Sequence, residues 1–134
     1  MKKSEGPLLQ KSFSFAVRII RLNKVLNEKY REYILGRQLL RCGTSIGANV
    51  REAQNAESKS DFIHKIGIAQ KEAGEVIYWL ELLSATGYLN KIEFNSLIID
   101  AQEISKIISS ILLTSKQRLK KVRESENKNS LTKP

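Results

Sequence analysis

The sequence predicts an all-α protein, an antiparallel up-down-up-down four-helix bundle. Three observations carry that expectation. Four successive segments place apolar residues three and four apart, the period of a helix that buries one face. Only seven Gly and two Pro interrupt 134 residues, and Pro7 and Pro134 lie near the two ends, so proline chemistry breaks no helix in between. The turns between the periodic segments are a few residues long, and helices joined that tightly pack antiparallel to their neighbours.

The first helix shows Phe15, Ile19, Leu22 and Leu26 on one face, with Ser12 or Ser14 placed to cap its start. The second is expected from about Arg31 to Asn55, with Leu35, Leu39, Cys42, Ile46, Asn49 and Ala53 inward. The third starts near Ser58, whose hydroxyl is three residues from Asp61, and carries Phe62, Ile66, Ala69, Ala73, Val76, Leu80 and Leu83 as an unbroken stripe. Gly87 with Tyr88 and Leu89 reads as its stop. The fourth begins at Asn90, with Glu93 three residues on, and its stripe is Phe94, Leu97, Ala101, Ile104, Ile108, Ile111 and Ser115. The organisation expected is a basic extension over 1–11, the bundle over 12–115, and a basic tail over 116–134 polar enough to fray.

One Cys and one His cannot supply the Cys/His set of a structural zinc site, and one Cys excludes an intramolecular disulfide. That cysteine usage fits a cytoplasmic protein. No apolar run approaches the roughly 20 residues of a membrane span, so no membrane partner is expected, and no cofactor is implied. The net charge is +9. Residues 12–51 hold eight basic groups against two acidic, residues 52–113 five against nine, and residues 114–134 seven against two. A basic first half and tail beside an acidic second half suit either a polyanion or the pairing of copies through opposite charge.

Thr44 to Ala53 reads T-S-I-G-A-N-V-R-E-A, Ser60 to Glu72 reads S-D-F-I-H-K-I-G-I-A-Q-K-E, and Tyr78 to Leu83 reads Y-W-L-E-L-L. This order resembles the bacterial four-helix-bundle family encoded by intervening sequences within large-subunit ribosomal RNA genes, over roughly residues 12–115. Asn49 and Glu52 match the family's Asn and Glu in the second helix. The resemblance implies a homo-oligomer assembled as a pentameric ring. It also implies distant kinship with accessory proteins of diversity-generating retroelements, which bind nucleic acid and a reverse transcriptase. The family has no shared enzymatic activity, and none is expected here.

Arg37, Arg41 and Arg51 fall within about 80° on the second helix, opposite its core face, over about 21 Å. Guanidinium groups in such a row match the phosphates of RNA or DNA, and Arg118, Lys120, Lys121 and Arg123 extend the basic character into the tail. The plain alternative is a solvated face, or arginines paired with Glu. Gly43 and Gly47, four apart, point to close approach of another helix, from the bundle or from another subunit. Asn49 is expected to cross-link helices as a satisfied buried amide. Glu52, Glu57, Glu72, Glu75 and Glu81 are the candidate acids, but no cleft, nucleophile or metal set accompanies them, and no catalytic or metal residue is assigned. His64 is expected to be exposed and Cys42 to be an inert core residue. Phe13, Val17 and Ile20 form a second apolar stripe, a candidate oligomer interface, and Ile68, Tyr78, Leu82, Ile92 and Ile99 also point away from the core stripes. The function these features imply is a non-enzymatic, homo-oligomeric bundle that binds RNA or DNA without sequence preference. Its alternative is an interaction scaffold or accessory subunit, for example of a reverse transcriptase.

Overall fold

The computed structural model describes residues 6–132; the first five residues of the expected basic extension, and Lys133 and Pro134 of the basic tail, lie outside that range. Four helices follow in order: α1 (Gly6–Tyr30), α2 (Ile34–Ala53), α3 (Lys59–Ala85) and α4 (Lys91–Thr132). Helices α1 and α2, α2 and α3, α3 and α4, and α4 and α1 are neighbours, and among the described residues no diagonal pair brings its backbones as close. That cyclic order is the up-down-up-down bundle expected from the pattern.

Helix α1 begins six residues earlier than the expected start. Ser12 caps nothing: it is buried inside the helix and donates to the Leu9 carbonyl at 3.2 Å. Pro7 stands in the first turn, where its missing N–H costs no hydrogen bond, and Leu8 adds a fully buried side chain below Phe15, Ile19 and Leu26. The helix ends at Tyr30; Arg31 follows with φ +52, and the Glu32 N–H returns six residues to the Leu26 carbonyl at 2.9 Å. A non-glycine thus takes the left-handed position just past the helix end.

Helix α2 therefore starts at Ile34, not at Arg31. Tyr33 at its N-cap makes no side-chain cap; the Glu32 carboxylate instead accepts from Ile34 N at 3.0 Å and Leu35 N at 2.7 Å. Its core residues are Leu39, Cys42, Ile46, Val50 and Ala53. Val50 takes the inward place assigned to Asn49. The Asn49 amide does not bridge helices: it donates to the Ser45 carbonyl of its own helix at 2.8 Å.

Helix α3 keeps its expected stripe, with Ile66, Ala69, Ala73, Val76, Leu80 and Leu83 buried. Ser58 accepts from Asp61 N at 3.0 Å, and Gly87 closes the helix at φ +87. Asn90 and Glu93 form the reciprocal box at the start of α4, with Glu93 N donating to Asn90 Oδ1 at 2.8 Å and Asn90 N to Glu93 Oε1 at 3.4 Å.

The expected fraying from residue 116 is not found. α4 runs 42 residues, to Thr132, about 63 Å at 1.5 Å per residue. The physical reason lies in the segment's residues: no Gly or Pro occurs between Lys116 and Thr132, most of them are good helix formers, and Lys120 and Glu124, and Glu124 and Lys128, stand four apart with opposite charge. From Lys116 to Leu131 every residue is exposed except the half-buried Leu119, so α4 projects past the bundle.

Candidate nucleic-acid interface

The three arginines of α2 have different surroundings. Arg37 is exposed near the start of the helix. Arg41 is clasped by α3: its guanidinium lies 3.2 Å from Glu72 Oε2 and 2.5 Å from Glu75 Oε2. These two carboxylates, spaced for one helix face, are thereby committed to an ion pair, and the hydrogen bond to Glu75 raises the Arg41 pKa further. Arg51 lies 6.0 Å from the centroid of the Phe13 ring, a cation–π arrangement. One cation is thus neutralised between two that stand at opposite ends of the helix.

Other opposite charges meet inside the chain as well. Lys65 pairs with Glu52 at 3.0 Å, which raises the lysine pKa. On the other side of the bundle Lys11 pairs with Glu103, and Arg18 reaches Asp100 at 2.5 Å and the Ser96 hydroxyl at 2.9 Å. Much of the acidic charge of the second half is therefore met by the chain's own basic residues.

The projecting part of α4 differs. Residues 116–132 hold six basic groups against Glu124 and Glu126. Arg118, Lys120, Lys121 and Arg123 are exposed, and none belongs to an ion pair among the described residues. At 100° per residue, Lys116, Lys120 and Arg123 fall within about 60° of one another, with Arg118 and Lys121 on the opposite side. The compositional cue was present in the sequence; that the segment is a helix standing clear of the bundle was not.

The oligomer candidates are also accessible. Phe13 is 59% and Ile20 41% exposed, and Val17 is half-buried. Phe13, Gly47, Ala48 and Arg51 line a cleft of about 360 Å³ between α1 and α2. Ile92, Ile99 and Tyr78 are exposed as expected, while Ile68 and Leu82 are half-buried. His64 is exposed. Cys42 is buried, and burial pushes its thiol up to about 12. Among the described residues no group of three His, Cys, Asp or Glu side chains could hold a metal ion, and no helix is long and apolar enough to cross a membrane.

The glycine pair has its answer within the bundle. A Cβ on Gly43 would stand 2.8 Å from Ile19, and one on Gly47 3.4 Å from the Ser12 carbonyl. Both face α1, together with Gly36 against Asn23.

Comparison with known proteins gives a consistent relationship. The family model described as 23S rRNA-intervening sequence protein matches residues 6–110. The chain is 47% identical to a protein of unknown function from the S23 ribosomal protein family of Bacteroides thetaiotaomicron, known from a crystal structure. The match covers 81% of this chain and 97% of that one, with a TM-score of 0.81. A comparison with curated proteins gives no match. The basic projection lies beyond the residues that the family model matches.

Proposed function

The chain belongs to the 23S rRNA-intervening sequence protein family, and on that premise we propose that it is a non-enzymatic, homo-oligomeric bundle that binds RNA and DNA without sequence preference. The observation that carries this reading is the basic end of α4, where Arg118, Lys120, Lys121 and Arg123 stand in solvent on a helix clear of the bundle. Cations on a smooth helix contact phosphates and leave base edges unread. Repetition of the projection on each copy of an oligomer, with Phe13, Val17 and Ile20 in the contact, would multiply weak contacts into avidity. The scaffold alternative, in which the basic half of one copy meets the acidic half of the next, is weakened by the intrachain pairs. Glu72, Glu75, Asp100 and Glu103 already have basic partners.

The test is binding of the full chain to generic duplex RNA and DNA at two salt concentrations. Wild type binds at low salt and weakens steeply as salt rises, because phosphate contacts release counterions. The Lys120→Glu/Arg123→Glu variant loses most of that binding, whereas Arg41→Ala changes it little, since its charge is already met. Duplex binding undiminished in the double variant would overturn the assignment to α4.

A further inference from the structure

The opposite end of the bundle, where the α1–α2 and α3–α4 turns meet, carries a second and chemically different surface. The two turns are in contact: Tyr30 and Tyr88 stack edge to face, centroids 5.4 Å apart. Around them Tyr33 is 51%, Ile34 77% and Ile92 82% exposed. Tyr33 and Ile34 sit where α2 begins, on backbone held by the Glu32 carboxylate and by the left-handed Arg31. These are large apolar groups presented together at one end of the bundle.

The charge around them is positive. Arg21, Lys24, Lys29, Arg31, Arg37 and Lys91 lie at or within about 14 Å of this end along the helix axes, and none is in an ion pair among the described residues. Lys29 leans over the Tyr30 ring at 5.1 Å. Of the nearby carboxylates, Glu32 and Glu93 are bonded to backbone N–H groups at the starts of α2 and α4, which leaves Glu28 and Glu81 uncommitted. Of the cations of α1 and α2 that do have carboxylate partners, Lys11 and Arg18 stand farther from this end, and Arg41, about 10 Å from it along α2, is met by Glu72 and Glu75. Between α1 and α4, a groove of about 450 Å³ leads toward it, with Leu22, Val25 and Ile92 on its walls and Arg21 at its side.

We propose that this turn end is a stacking platform for single-stranded nucleic acid, with Tyr33 receiving an unstacked base and Arg21, Lys24, Arg31 and Lys91 holding the adjoining phosphates. The proposal rests on the nucleic-acid reading above and deepens it by naming the strand class. Exposed aromatic faces interleaved with cations suit unpaired bases, which can leave their neighbours and lie on a ring. A duplex keeps its bases stacked inside and offers this surface only phosphates. The bundle would then hold two surfaces of different selectivity: α4 for any phosphate backbone, and the turn end for single strands.

The experiment uses the full chain with two labelled probes, an oligothymidylate of about twelve nucleotides, within the range one such surface accommodates, and a duplex of the same length. Wild type is expected to bind the single strand more tightly than the duplex. Tyr33→Ala should cut single-strand affinity by roughly 5- to 150-fold, the loss of one base–ring stack, and leave duplex affinity unchanged. Tyr33→Phe should retain both. Ile34→Glu, at an exposed site beside Tyr33 and at a helix start that tolerates a carboxylate, should repeat the loss through repulsion with its fold intact. Circular dichroism establishes folding for each variant. Single-strand binding unchanged in both Tyr33→Ala and Ile34→Glu would overturn the platform while leaving the α4 assignment standing. The Lys120→Glu/Arg123→Glu variant addresses the other surface: retained duplex binding there would overturn the α4 assignment, with the Tyr33 result still decisive for the platform. Should Tyr33→Ala spare single-strand binding but lower the mass measured by light scattering, the turn end is a contact between copies, and the proposal fails. Absence of any binding by wild type would overturn both.

Discussion

Gly43 and Gly74 have the same side chain and opposite reasons for being there. A methyl on Gly43 would press on Ile19, which is fully buried and has nowhere to go. A methyl on Gly74, exposed on α3, meets nothing within 4 Å. Overpacking costs about 1–3 kcal/mol, which exceeds the propensity gain of up to about 1 kcal/mol from replacing a helical glycine. Gly43→Ala is therefore expected to destabilise the fold and Gly74→Ala to stabilise it by about 0.5–1 kcal/mol, measured by chemical denaturation. Cys42 gives a pH prediction. Its thiol ordinarily ionises near 9.0 and is held up to about 12 in the fold by burial. Between those values the unfolded chain has lost a proton that the folded chain keeps. Stability is thus unaffected by this group below pH 9 and falls as pH rises toward 12, by at most about 1.4 kcal/mol per unit. Cys42→Ala should remove that part of the slope in denaturation series at pH 8 to 11.

At the scale of the element, α3 and α4 make contrasting cases. The stripe of α3 is buried from Ile66 to Leu83, so its helicity is supported by packing against α2 and α4. Leu80→Ala, at a fully buried site, is expected to cost about 2–5 kcal/mol; a change under about 0.5 kcal/mol would be that of a surface residue. The end of α4 has no such support, and its helix rests on local propensity and charge spacing. Lys121→Pro removes one backbone donor and costs the helix about 3 kcal/mol, with no tertiary contact to offset it. Far-UV circular dichroism should show loss of the helix beyond that point, while the bundle's unfolding midpoint stays where it was. A matching drop in that midpoint would show that the projection helps hold the bundle together.

For the whole molecule, charge and shape divide the surface. The α2–α3 and α1–α4 seams are crossed by ion pairs, Arg41 with Glu72 and Glu75 on one, Lys11 with Glu103 and Arg18 with Asp100 on the other. These partly exposed pairs set the register of neighbouring helices more than they add stability, since exposed pairs contribute about 0–1 kcal/mol. The apolar group Phe13, Val17 and Ile20 is left facing outward on α1, beside the cleft toward α2. Under the proposed oligomer, Val17→Asp with Ile20→Asp lowers the mass measured by light scattering to that of one chain and leaves helicity intact. An unchanged mass would remove this face from the contact, and a wild type already monomeric at micromolar concentration would remove the oligomer.

The sequence by itself determined the four helices, their antiparallel order and most of their inward residues, because apolar spacing records which side of a helix leaves water. It also determined the capped starts of α3 and α4 and the stop at Gly87, where Ser58, Asp61, Asn90, Glu93 and Gly87 act within a few residues of one another. The start of α1 was legible in Pro7 and Leu8 once proline is allowed in a first turn. Only the tertiary structure decided the rest. Which carboxylate meets Arg41 depends on how α2 and α3 lie side by side, so a row of arginines that periodicity places together becomes one neutralised group between two exposed ones. Val50 is the residue buried at the interface, and Asn49 beside it turns to its own backbone, an outcome set by how the helices pack. The helix at the end of α4 could not be separated from a frayed tail by polarity, since exposed helix and disordered chain share a composition. The turn end joins Tyr30 and Tyr88, 58 residues apart in the chain, and no local pattern records a meeting that only the closed bundle creates.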